Sequence, residues 1–151
     1  MKVIRRSVFE TNSSSSHSVS IVQGDYIPDK LYVGPGKVCE ICPGEFGWEE
    51  ESYYDAATKA SYAFTYAKEM PDYGLGDGER EMDMLKKVIE AVTKAVVQFV
   101  GTGDKYHPYG YIDHQSIEDG GPGKEVFASE ETLRDFIFNP ASELRTDNDN
   151  K

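Results

Sequence analysis

A chain of 151 residues is long enough for one domain with a real hydrophobic core, needing neither disulfide nor metal staples. Thirty-eight percent hydrophobic residues, with ten Tyr and seven Phe, exclude a disordered chain. The 27 Asp and Glu against 16 Lys and Arg give a net charge of -11, so direct nucleic-acid binding is expected only through the N-terminal loop.

Residues 2–10 and 18–22 are short and extended in character, with β-branched residues on either side of a polar segment, and read as two strands joined by a serine loop. Residues 30–42 continue the pattern, with Gly34, Pro35 and Gly36 as a turn between two apolar strands. From Ser52 the period changes. Tyr53, Ala56, Ala57, Ala60, Ala63, Phe64 and Ala67 fall at helical spacing until Pro71 stops the run. After a glycine-rich break, Met82, Leu85, Val88, Ile89 and Val92 share one face of a second helix. Residues 95–100 either extend this helix to Gly101 or form a strand after a tight connection, and their β-branched content favours the strand; residues 109–117 read as another strand. Residues 118–125 read as an exposed turn. Ser129 caps a last short helix running to Phe138, with Glu130 and Glu131 near its positive end. The sum is a single α+β domain over residues 1–145, followed by a frayed acidic tail at 146–151. It has an antiparallel or mixed sheet of four to six strands packed against two main helices, plus a short C-terminal helix.

Charge is unevenly spread. Residues 38–58 hold six carboxylates and no Lys or Arg, whereas the first 37 residues hold five bases against three acids. Such a run either solvates exposed loops or forms a docking surface for a basic partner. Within it, two glycines flank Phe46 and precede the only Trp, which suggests aromatic anchors inside an acidic rim. The candidate binding set is Glu45, Phe46, Trp48, Glu49, Glu50, Glu51 and Asp55.

A second set gathers around the first histidine. Asn12, Ser13, Ser14 and Ser15 either bond their own backbone in turns or, with Arg5 or Arg6, cradle a phosphate. No Walker-type pattern accompanies them. His17 has a pKa suited to acid–base work, with Ser15 as its better-placed hydroxyl and Glu10 within reach if the loop folds back. His114 shares a strand face with Ile112 and Ser116. Facing His17 across the sheet, it would make a two-histidine pair for phosphodiester cleavage or nucleotide processing without metal. Cys39 and Cys42 have zinc-knuckle spacing but would need His107 and His114 at an unfamiliar distance in sequence, so they read as packing cysteines. No metal and no cofactor are expected. No apolar stretch is long enough to span a membrane and the start lacks a hydrophobic signal core, which points to the cytoplasm and reduced thiols.

The segment RRSVFETNSSSSHSVSI, together with GEFGWE and YIDHQS and more loosely FIFNPASELRTDND, resembles a family of small uncharacterised phage and prophage proteins sharing the FETNSSSSHS signature. The resemblance implies an accessory protein acting on host machinery, in a bacterial cytoplasm. In composition the chain is similar to anti-CRISPR and other counter-defence proteins. That implies inhibition of a host protein with a basic surface, such as a CRISPR effector or another nucleoprotein. No catalytic residue comes with either likeness.

Overall fold

The computed structural model describes the backbone of residues 3–7 and all atoms of residues 16–101 and 105–147. The main sheet has four strands, β1 (Val3–Ser7), β2 (Ser18–Val22), β5 (Glu51–Tyr53) and β8 (Glu143–Thr146). Their order is β1-β2-β8-β5, every neighbouring pair antiparallel. β1 and β2 form the hairpin expected around the serine segment, with Ser7 opposite Ser18. Two short parallel pairs complete the β structure: β3 (Val38–Ile41) with β6 (Val96–Phe99), and β4 (Glu45–Phe46) with β7 (Tyr111–Ile112). The helices are α1 (Ala56–Glu69), α2 (Glu79–Thr93), α3 (Gly123–Val126) and α4 (Glu130–Phe138). The fold is α+β, as the sequence implies.

α1 is the centre of the molecule and touches α2, α3, α4, β3 and β7. Its buried alanines (Ala56, Ala60, Ala63, Ala67) let these neighbours approach closely, while Tyr62, Phe64 and Tyr66 fill the volume between them. A helix covered on several sides needs no polar face, which is why its apolar residues are not confined to one stripe. α2 is the ordinary amphipathic case, with Leu85, Val88 and Ile89 turned inward. α4 starts where expected, the Ser129 hydroxyl accepting the Thr132 amide at 3.0 Å.

Five expectations fail. The first helix does not begin at Ser52: Ser52 and Tyr53 belong to β5, paired with Arg145 and Leu144 of β8, and α1 starts at Ala56 behind its Asp55 cap. The tail does not begin at residue 146: Thr146 is buried in β8, which pairs with β2 on one edge and β5 on the other, and its hydroxyl donates to the Glu49 carbonyl at 2.8 Å. Residues 109–117 are not one strand. After Ile112 the Asp113 carboxylate accepts the Gln115 amide at 3.3 Å and turns the chain into a 3-10 turn over His114–Ser116. Residues 118–125 are not an exposed turn, because residues 120–123 are buried and lead into α3. Residues 30–33 form no strand either. This arm meets the next only at one bridge, the Gly34 amide donating to the Val38 carbonyl at 2.8 Å, and the two then separate.

Candidate functional site

The parting of those two arms opens a cavity of about 670 Å³. Leu31 and Tyr32 line it from one arm and residues 38–42 from the other, with Phe46, Tyr53 and, from α1, Ala57, Thr58 and Ser61 completing the wall. That volume falls in the range of ligand pockets, ~300–1,000 Å³. Glu40 and Glu45 stand exposed at its rim. Phe46 belongs to the core, 5% exposed, with its ring edge-on to Tyr62 at 5.0 Å and to Tyr53 at 6.3 Å. It is therefore part of the cavity wall and not a projecting anchor, which corrects its expected role.

The acidic run continues from the cavity to β5, the outermost strand of the main sheet. Glu49, Glu50 and Glu51 are exposed, and Trp48 and Tyr54 keep 46% and 49% of their surface. Asp55 has another task. Its carboxylate caps α1, accepting the Thr58 amide at 2.8 Å and the Thr58 hydroxyl at 2.7 Å. Burial pushes that carboxyl up, but the Thr58 bonds outweigh it and hold the group below the usual carboxylate range. Glu45, Trp48, Glu49, Glu50 and Glu51 thus remain as the exposed members of the candidate binding set.

The histidines occupy contrasting places. His17 is fully buried, its Nε2 donating to the Gly47 carbonyl at 2.7 Å, which fixes the tautomer and leaves Nδ1 as a bare acceptor. Among the described residues neither that Nδ1 nor the buried Tyr62 hydroxyl has a hydrogen-bond partner; the two rings meet edge-on at 6.1 Å. Burial lowers the His17 pKa, against the Gly47 bond and the negative charges of Asp113 and Glu49. His114 lies on the 3-10 turn with its ring exposed, 3.9 Å from the Asp113 carboxylate. The two histidines therefore do not share a sheet face; His114 lies beside Asp113, a buried acid that strand periodicity does not single out, and His17 feels the charge of that carboxylate. Asp113 also accepts the Tyr111 hydroxyl at 2.9 Å. Burial and this bond push the Tyr111 phenol well above its ordinary value.

Arg5 and Arg6 pair through β1 with Ser20 and Val19 in backbone register. Their side chains, with Glu10, Asn12, Ser13, Ser14 and Ser15, lie outside the described residues, as does the phosphate cradle they would form. Cys39 is buried in β3, where burial raises its thiol pKa, and Cys42 is exposed; both are free thiols. Among the described residues no three His, Cys, Asp or Glu side chains gather as metal ligands, and no helix is long and apolar enough to cross a membrane. Comparison with protein families, with curated proteins and with solved structures finds no match to this chain.

Proposed function

We propose that this is a binding protein, a phage-encoded accessory whose acidic face around Glu45, Trp48, Glu49, Glu50 and Glu51 docks on a basic surface of a host defence or nucleic-acid-processing complex and inhibits it, in the manner of anti-CRISPR proteins. One observation carries the reading: residues 38–58, which hold no Lys or Arg, supply an exposed acidic run, the half-exposed Trp48 and much of the wall of a roomy cavity, with Arg145 of β8 reaching Ser52 at 3.1 Å. Charge complementarity would speed encounter, and an aromatic group desolvated on binding would slow release. The phage setting rests on the likeness of the FETNSSSSHS segment. Affinity capture from bacterial lysate at low and moderate salt tests the reading. A basic protein should be recovered at near one-to-one ratio by the wild type and lost with Glu49→Lys/Glu50→Lys/Glu51→Lys; recovery of the same proteins by both would reject it.

The exposed His114 ring 3.9 Å from the buried Asp113 carboxylate supports a second reading, a small phosphodiester-cleaving or nucleotide-processing enzyme. Exposed His114 would exchange the proton with substrate, and Asp113 would orient it. His114→Ala should then abolish RNA turnover without altering the unfolding transition. Equal turnover by this variant and the wild type would remove the enzyme reading.

A further inference from the structure

The cavity has the form of an unfinished hairpin. The turn at Gly34, Pro35 and Gly36 brings its arms into register at the Gly34–Val38 bridge, and a regular hairpin would next set Tyr32 against Glu40. Instead the arms part, and Tyr32 is left 83% exposed.

The backbone of β3 shows what the gap presents. In a parallel ladder, residues that bond across alternate with residues whose amide and carbonyl point away. The Lys37 and Ile41 carbonyls accept from Val96 and Val100 on the β6 side, at 2.8 and 3.0 Å, and the register Cys39↔Val97 places Cys39 with them. Val38, Glu40 and Cys42 therefore direct their amides and carbonyls to the other edge. Gly34 takes the Val38 carbonyl. Among the described residues no strand pairs with β3 beyond that point. Five consecutive residues, 38–42, line the cavity, which a strand achieves only by presenting its edge, since alternate side chains leave on opposite faces.

We infer that this slot receives an extended, basic segment of a partner protein, added as a strand against the free edge of β3. Main-chain bonds would form at Glu40 and Cys42. An apolar side chain would enter among Ile41, Phe46 and Tyr53, and flanking cations would meet Glu40 and Glu45. The charge of the rim selects the occupant, because the charged residues lining the cavity, Glu40 and Glu45, are both acidic. This inference rests on the binding reading and specifies the partner's form.

The test is amide hydrogen exchange followed by NMR, with two short valine–threonine peptides as probes, one flanked by lysines and the other by glutamates. The lysine peptide should slow exchange at Glu40 and Cys42 at least tenfold, leave Cys39 and Ile41 unchanged because they already bond β6, and lose the effect at high salt. The glutamate peptide should do nothing. Glu40→Pro removes an outward amide together with the carboxylate and no bond to β6, so it should keep the unfolding transition and abolish protection at Cys42. Glu40→Gln keeps the amide and should retain protection at weaker affinity. Slowed exchange at Glu40 without peptide would show the arms zipping on themselves and overturn the inference. Response confined to Trp48 and Glu49–Glu51 would overturn strand addition while leaving the acidic binding face standing.

Discussion

Lys59 shows how one buried charge joins two elements. It has no exposed surface, and its ammonium donates to the Asn139 and Ser142 carbonyls, each at 2.9 Å. These acceptors lie just past the C-terminal end of α4, where a helix leaves carbonyls unpaired and favours a cation. Burial lowers the Lys59 pKa from 10.5 to about 8, against the pull of Asp29 and Asp55. Between those two values the unfolded chain holds a proton that the native chain has released, so this group makes stability rise with pH across the window and contributes no slope below it. Lys59→Met should remove that slope and leave two carbonyls without their donor. Urea denaturation at pH 7 and pH 10 reads the difference: the wild type should gain stability from this group between the two and the variant should not, and an equal gain in the variant would show that another group carries the slope. Lys59 follows Thr58 on a helix of apolar spacing, and nothing in periodicity marks it as inward-facing.

At the level of elements, the regular pieces were legible and the irregular ones were not. α2, α4 and β6 carry apolar spacing, a cap or β-branched runs, and each lies where the sequence reading puts it; α1 does so only from Ala56, because Ser52 and Tyr53, which share its helical spacing, are drawn into β5 by pairing with β8. β8 escaped because Glu143 and Arg145 are charged and Thr146 opens what reads as an acidic tail; its place inside the sheet comes from pairing on both edges and from Leu144 beneath. Residues 118–125 were misread for the opposite reason. Their glycines are there to be buried, not to turn in solvent. A Cβ at Gly123 would collide with the Tyr66 ring, and one at Gly121, where φ is +49°, with the Ser116 carbonyl. Gly123→Ala should therefore cost ~2 kcal/mol or more through overpacking, seen as a lower midpoint of thermal unfolding. An unchanged midpoint would mean that α3 can move away from α1 freely.

For the whole molecule, the sign and placement of charge were readable from the sequence, and the cavity was not. Composition locates six carboxylates in residues 38–58, and most of them reach solvent as anticipated. No local pattern distinguishes a hairpin that closes from one whose arms part after a single bridge, because the first arm is tied elsewhere by tertiary contacts: the Asp29 amide donates to the Phe138 carbonyl at 2.8 Å, and the Asp29 carboxylate accepts the Ala56 amide at 2.9 Å. Tertiary packing draws Phe46 inward and leaves Trp48 as the aromatic group of the acidic face. It also places the His17 ring beneath Gly47, so the serine-rich signature and the acidic segment meet through one hydrogen bond. A protein with net charge -11 should bind a cationic partner more tightly as salt falls. The most direct measurement is the dissociation constant for the captured partner, at low and moderate salt, of the wild type and of Glu49→Lys/Glu50→Lys/Glu51→Lys. A loss of at least tenfold on charge reversal, larger at low salt, is the predicted result; equal affinity of the two proteins at both salt concentrations would contradict the acidic face as the binding surface.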